Sequence, residues 1–316
     1  MSDESEGESG KAGIIISIAL TAAVFAGLWA WSTWNRANEL EYGEGRLKNA
    51  LVIPGANPVL LAVESLEFSS EDSDEIVFRL TSYDARTGKR IARKKEVPWR
   101  DCAPASEGLA WCYGDDSTLE VITVPALETK WSAAALSAKV GQKIMNVTQL
   151  DVSAKGGFRA TLADGKKVEL DAQTLNATPQ TEAAPRKSRP SPKLFDCSIP
   201  NTEREGLCTR GQYGAEQRVD TGDGWLRMDV LADVPGGMII AVNTSLDDAV
   251  NERLIVRLDD KLREVGATSL GKRHGYMSHD LVWVTPDELF VLVDKEFDTT
   301  IAIDATSGRP AWRVRH

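Results

Sequence analysis

Two of the three histidines of the 316-residue chain sit five positions apart, in His274-Gly-Tyr-Met-Ser-His279-Asp280. Two imidazoles and a carboxylate make a donor set for zinc or copper once a loop draws them together. A gap of five puts the rings on different faces of a helix and on opposite sides of a strand, so only a loop would converge them. The competing reading of His274, His279 and Asp280 is a polar rim. Ser278, His279 and Asp280 are also adjacent, whereas a catalytic triad draws its members from separate elements.

Gly266-Ala-Thr-Ser-Leu-Gly271-Lys272-Arg273 comes close to a phosphate-binding loop. That loop needs Ser or Thr after the lysine for magnesium and a helix to aim its amides, and here Arg273 and β-type sequence follow. An inter-blade loop accounts better for it. The acidic runs Glu71-Asp72-Ser-Asp74-Glu75 and Asp115-Asp116 lack the Gly and Glu spacing of a calcium loop and read as solvated turns. No constellation of residues makes a convincing catalytic centre, so the expectation is a protein that is not an enzyme and needs no cofactor.

The four cysteines fall in two tight pairs, Cys102 with Cys112 and Cys197 with Cys208. Each pair suits a local disulfide formed in an oxidising compartment, worth roughly 2–3 kcal/mol on the chain-entropy model. Structural zinc sites space their ligands more tightly than these pairs do. Reduced, unpaired thiols are the other alternative.

Arg186, Lys187, Arg189 and Lys193 lie among Pro179, Pro185, Pro190 and Pro192, which marks 178–195 as an exposed, extended insertion. Its functional reading is a docking segment for an acidic partner or an anionic headgroup; its plain reading is a solvated insert.

The scaffold for these residues follows from composition. Hydrophobic content of 42% with 27% charged residues describes a globular chain. A net charge of −10 argues against a nucleic-acid binder, since phosphate contacts need a basic surface. Residues 1–11 form an acidic tail that cannot bury enough apolar surface to fold. Residues 12–34 carry no charge and are long enough for a helix to cross a bilayer core of about 30 Å. Trp29, Trp31 and Trp34 gather at the end of that run, where indoles favour the lipid interface. The acidic leader and aromatic exit argue for an uncleaved transmembrane anchor rather than a signal peptide. Residues 35–48 read as a polar spacer.

The anchor would place the protein in an inner or plasma membrane. Arg36, Arg46 and Lys48 outnumber Lys11, which favours a cytoplasmic domain, while the paired cysteines favour an extracytoplasmic one. Because charge counts lose authority before a long folded domain, the expectation is an extracytoplasmic, periplasmic domain.

From residue 49 onward short β-type runs alternate with turn residues, among them Val59–Val63, Glu75–Leu80, Phe158–Leu162, Val168–Leu170, Arg253–Leu258 and Glu288–Val293. Asp164-Gly165 suits a type I′ hairpin, and Ser132–Val140 is the best helical candidate. Taking the residue after each third strand as a marker gives Asp84, Pro125, Asp171, Asp259 and Asp304, with one missing near residue 215. Repeats of about 40–50 residues with four strands each are the signature of propeller blades. The expected fold is all-β: a β-propeller of six four-stranded blades over 49–316, with five or seven as alternatives. Because the last motif ends close to residue 316, the segment near Asn49–Pro54 is expected to supply or seal the edge of the last blade.

Tyr83-Asp84-Ala-Arg-Thr87-Gly88-Lys and Ile303-Asp304-Ala-Thr306-Ser-Gly308-Arg-Pro-Ala-Trp312 resemble the repeat of the quinoprotein-type, PQQ-like β-propellers. In that family an Asp, a Thr-Gly turn and a following Trp recur once per blade, which implies that Trp131 and Trp312 pack between blades. The quinone-dependent dehydrogenases of that fold are longer and use an adjacent Cys-Cys pair, which this chain does not have. Many shorter relatives are membrane-attached scaffolds. The resemblance therefore implies a protein-binding or scaffolding module of the bacterial cell envelope, held in the bilayer by one helix and binding a protein partner. A sensor or enzyme using the propeller funnel for a small ligand, metal or quinone is the alternative.

Overall fold

The computed structural model describes residues 6–69, 74–114, 118–142, 144, 150–153, 155–180, 194–198, 205–210, 216–219, 227–243, 252–261, 263–272, 281–284, 289–294 and 298–316. The chain divides into two units, Met1–Glu44 and Gly45–His316. The first is built on a helix, α1 (Glu6–Tyr42), which overruns the expected 12–34 segment at both ends. Glutamates at its start suit a helix N-terminus, and Asn35–Tyr42 holds enough helix formers to carry it on. Among the described residues no helix is long and apolar enough to cross a membrane. In the described second half of α1, Asn35, Arg36, Asn38, Glu39 and Glu41 dilute the apolar run.

The second unit is a series of antiparallel meanders. The first sheet is β1 (Arg46–Ile53), β2 (Val59–Ser69), β3 (Asp74–Asp84) and β4 (Arg90–Val97), paired in that order. The second is β5 (Trp99–Pro104), β6 (Leu109–Gly114), β7 (Leu119–Thr123) and β8 (Thr129–Trp131), followed by α2 (Ala133–Val140). The third holds β9 (Phe158–Thr161), β10 (Lys167–Leu170) and β11 (Ala177–Pro179); the fourth holds β12 (Leu194–Ser198), β13 (Glu205–Arg210) and β14 (Glu216–Val219). The fifth is β15 (Arg227–Val234), β16 (Gly237–Asn243), β17 (Glu252–Asp259) and β18 (Glu264–Lys272). The sixth is β19 (Leu281–Val284), β20 (Leu289–Asp294), β21 (Thr299–Asp304) and β22 (Pro310–Arg315).

Six sheets match the expected repeat count, but the third and fourth show three strands among the described residues, not four. In the third, the place of a first strand is taken by two isolated bridges, Ile144 to Leu162 and Val152 to Phe158. The helix expected over Ser132–Val140 forms as α2, and Ser132 caps it by accepting from the Ala135 amide at 3.3 Å. The Asp164-Gly165 turn is not type I′. Only Gly165 takes positive φ (82°), and its amide bonds back to Leu162 at 2.9 Å, giving a turn followed by a left-handed glycine.

Burial grades across the first and sixth sheets. Residues 60–63 of β2 and 290–293 of β20 are almost fully buried on both faces, whereas most of β4 and β22 is exposed or half-exposed. A strand apolar on both faces is stable only when covered on both, and here neighbouring sheets do the covering. Side chains alternate between the two neighbours. Leu61 and Val63 pack with Ala110, Cys112 and Ile122 of the second sheet, while Leu60 and Ala62 pack with Val291, Val293 and Ala302 of the sixth. Trp111 and Val121 pack with Phe158 and Leu170 of the third sheet, and Phe290 and Leu292 with Ile239 and Ile255 of the fifth. Each large aliphatic buried this way contributes about 1.5–3 kcal/mol. The arrangement is propeller-like.

The turns after the third strands of the first, third and sixth sheets dock onto a neighbouring sheet. Asp84 Oδ1 accepts the amides of Arg86 and Thr87 at 2.8 and 2.9 Å, and Gly88 N–H returns to Asp84 O at 2.8 Å. Asp171 and Asp304 repeat the pattern with the amides of Gln173 and Thr174, and of Thr306 and Ser307. In the second sheet the equivalent residue is Thr123, not the expected marker Pro125. Thr123 N–H reaches Glu128 O and Leu127 N–H reaches Thr123 O, both at 2.8 Å, as in the Asp turns. Trp131 and Trp312 then donate to the carbonyls of Ala172 and Ala85 at 3.1 and 3.0 Å, so both do join neighbouring sheets. Between the fifth and sixth sheets Arg257 takes this part, its Nε donating to Ala305 O.

The first and sixth sheets meet, but not as expected. The segment around Asn49–Pro54 lies mainly in β1, whose partner is β2, and the sixth sheet has four strands of its own. The contact is made by side chains instead of a shared edge strand: the Val291–Ala302 cluster above, and Leu47 N–H donating to Asp298 Oδ1 at 2.6 Å.

Candidate functional site

Glu64 and Arg79 occupy directly opposed positions on β2 and β3. Each interrupts an otherwise apolar run, Leu-Ala-Val-Glu64-Ser-Leu and Val-Phe-Arg79-Leu, and each is almost completely buried. A buried charge persists only when paired and hydrogen-bonded, and this pair is. Glu64 Oε2 accepts from Arg79 Nε and, at 3.3 Å, from the Thr81 hydroxyl, with Arg93 Nη2 of β4 at 3.8 Å. Its other oxygen, Oε1, faces His316 Nδ1 at 3.0 Å.

His316 follows β22 of the sixth sheet and is itself buried. Its backbone N–H is held by Asp298 O at 2.8 Å, its Nε2 lies 2.8 Å from the Thr300 hydroxyl, and its ring meets Tyr83 edge-on with centroids 5.7 Å apart. Burial alone would raise the Glu64 pKa. The hydrogen bond from His316 and the positive charge of Arg79 outweigh it and hold the carboxyl below its usual value. With Glu64 ionised, Nδ1 carries the donated proton, and Nε2 either accepts from Thr300 or, in the imidazolium, donates to it. Tyr83 is shifted the other way, up, by burial first and then by the Glu64 charge.

The outer surface next to this cluster is basic. β4 reads Arg90-Ile-Ala-Arg-Lys-Lys-Glu-Val, with Lys89 just before it, in a chain of net charge −10. Arg93 turns inward to the Thr81 hydroxyl at 3.0 Å, and Lys94 Nζ lies 4.8 Å from the Trp99 ring centroid. Lys89, Arg90, Ile91 and Lys95 are exposed. Among the described residues β4 pairs only with β3, leaving its other edge open.

The residues singled out in the sequence fare differently. Cys102 and Cys112 are directly opposed on β5 and β6 and joined by a disulfide. Cys197 and Cys208 lie on neighbouring strands β12 and β13, and their side chains fall outside the described residues. His274, His279 and Asp280, and the cations Arg186, Lys187, Arg189 and Lys193, also lie outside the described residues. Among those described, no group of three or more potential metal ligands comes together. Trp29, Trp31 and Trp34 are exposed on α1 at 70%, 62% and 63%. Gly266–Lys272 is neither a phosphate loop nor an inter-blade loop but most of strand β18. Gly266 is needed there because a Cβ would run into the Ser307 carbonyl of the sixth sheet.

Glu64, Arg79 and His316 were not singled out. The available signal was a pair of opposite charges, each one strand deep in β-branched and aliphatic sequence, where a solvated charge has no place. His316 carried none, because its partners are 16 and 252 residues away.

No protein-family model matches the chain, and no curated protein matches it. Solved structures similar to it include residues 644–1017 of HIRA, at 14% identity and TM-score 0.23, covering 43% of this chain and 54% of that one. The dihydro-heme d1 dehydrogenase NirN matches at 15% identity and TM-score 0.25, over 75% of this chain and 51% of its own. The chain thus spans about half the length of these two structures. BamB from Moraxella catarrhalis matches at 14% identity and TM-score 0.25, over 84% of this chain and 75% of its own. TM-scores of this size do not define a shared fold, and the propeller-like description rests on the sheets themselves.

Proposed function

We propose that this protein is a binding or scaffolding module: a six-bladed propeller, anchored by its N-terminal helix in a bacterial inner membrane, that recruits a protein partner at its outer strands rather than catalysing a reaction. The observation that carries this reading is β4. An outer strand with an open edge is a template for an added strand, as in peptide recognition by β-augmentation. Cations on such an edge discourage pairing with a like copy and favour an acidic partner. Lys89, Arg90 and Lys95 give β4 that character, with Ile91 exposed among them at 49%.

The anchor is supported by α1. Val24, Phe25, Leu28, Trp29, Trp31 and Trp34 are all more than half exposed, and a row of large apolar side chains calls for an apolar medium. The disulfide Cys102–Cys112 supports an extracytoplasmic domain, since such bonds persist where thiols are not kept reduced.

Mild crosslinking followed by co-purification of the full chain tests the reading. The expected result is a protein partner captured by the native chain and lost with the triple reversal K89E/R90E/K95E. Equal capture by both would remove β4 as the docking edge, and a stoichiometric small-molecule cofactor in the purified protein would replace the scaffold reading altogether.

A further inference from the structure

We infer that the first and sixth sheets together build an imidazole receptor, that His316 is its resident ligand, and that the seating of this ring latches the two ends of the sheet series. The receptor engages both ring nitrogens and packs an aromatic ring against the imidazole. Glu64 Oε1 from β2 meets Nδ1 at 3.0 Å, the Thr300 hydroxyl from β21 meets Nε2 at 2.8 Å, and Tyr83 from β3 covers the ring edge-on. The Asp298 carbonyl fixes the approach by accepting the His316 amide, while the carboxylate of the same residue accepts the amide of Leu47 in β1. One residue thus grips both the first strand and the latch.

Both ring nitrogens are used, which distinguishes a receptor from incidental packing. A buried aliphatic in the same place would leave the Thr300 hydroxyl and one Glu64 oxygen unsatisfied. The site draws its three ring contacts from both sheets, so it exists only when they are together. The charged and titratable groups around it are Glu64 on β2, Arg79 and Tyr83 on β3, Arg93 on β4, and Asp298 ahead of β21. The latch acts alongside the Trp312–Ala85 and Leu47–Asp298 hydrogen bonds and the apolar contact between these sheets.

The test is chemical rescue. In H316G, amide exchange along β1 and β21 is expected to rise about tenfold, the size of one or two lost buried hydrogen bonds, with the seam between the second and third sheets unaffected. Free imidazole at millimolar concentration is then expected to restore protection and raise the melting temperature of H316G. It should do neither for the native chain, whose site is filled. Thiophene, an aromatic five-membered ring of similar size with neither ring nitrogen, is expected to restore nothing. Native-like protection in H316G, or equal rescue by both compounds, would overturn the inference. If H316G does not fold, T300V removes the Nε2 partner alone. Exchange along β21 that matches the native chain would then overturn it, and a local rise confined to the first and sixth sheets would uphold it.

Discussion

The indole Nε1 of Trp312 donates to the carbonyl oxygen of Ala85 at 3.0 Å across 227 residues of sequence. Trp131 makes the same bond to Ala172 across 41 residues. In both cases the acceptor directly follows the Asp that opens a turn, Asp84 or Asp171. The carbonyl is therefore presented by one sheet's turn and claimed by the neighbouring sheet's outer strand.

Replacing Trp312 by Phe keeps the ring and removes the donor, leaving the buried Ala85 carbonyl unpaired. The expected cost is about 1–2 kcal/mol in urea unfolding, with W131F costing a similar amount at its own seam. Because the two sites share no partners, the double variant is expected to lose the sum. An additive pair measured at unchanged urea sensitivity is the check.

Gly88 lies directly beneath that indole. Its φ of +67° disfavours a side chain, and a Cβ would stand 2.8 Å from the Trp312 ring. G88A is expected to cost roughly 1–3 kcal/mol, from the backbone strain and the displaced ring together. In a W312A background the steric part disappears, so the cost should fall to the strain alone, about 1 kcal/mol. A double-mutant cycle with no coupling would mean that the indole does not rest on the glycine.

How far the sequence could be read follows from these turns. Asp84-Ala-Arg-Thr-Gly88 and Asp304-Ala-Thr-Ser-Gly308 were legible because a carboxylate that accepts two amides and a left-handed glycine are both chemical requirements of the turn. The second and third sheets form the same turn with Leu127 and Leu175 in the glycine position, at φ of 61° and 56°. Both leucines are buried, so packing offsets a conformation that local preference disfavours. For the same reason Thr123 was passed over for Pro125. Glu64 and Arg79 were hidden by strand patterning, which treats a charge in an apolar run as an outward-facing position. The seam between first and sixth sheets was misplaced because strand counting knows edges and not the side-chain contacts that replace them.

The disulfide between Cys102 and Cys112 closes a loop of ten residues in sequence separation and sits with both cysteines buried. Reduction is expected to lower stability by roughly 2–3 kcal/mol. Unreduced protein unfolded in guanidinium should leave these two positions unlabelled by iodoacetamide, and both should react once reductant is added. Labelling before reduction would show free thiols and remove the support for an oxidising compartment.

Glu64 sets the direction of one pH dependence. Its folded pKa lies below the unfolded value of about 4.3, so the unfolded chain takes up the proton first as pH falls. The stabilisation is fully present above the unfolded value and is lost as pH drops through the folded one. Protonation removes the carboxylate charge that faces Arg79, Arg93 and His316. Asp171, Asp259 and Asp304 are depressed too, by the hydroxyl and amide of Thr174, by Arg263 and by the Ser307 amide, so the acid limb of the native chain is shared. Comparison with E64Q separates the contributions. At pH 7 the variant should be less stable by about 3–5 kcal/mol, since it breaks a buried ion pair. That gap is expected to narrow as pH falls below about 4, because the unfolded native sequence then takes up a proton at residue 64 before the folded form does, while the amide takes up none in either state. A gap that stays constant from pH 7 to pH 2 would show that folding leaves the Glu64 pKa unshifted.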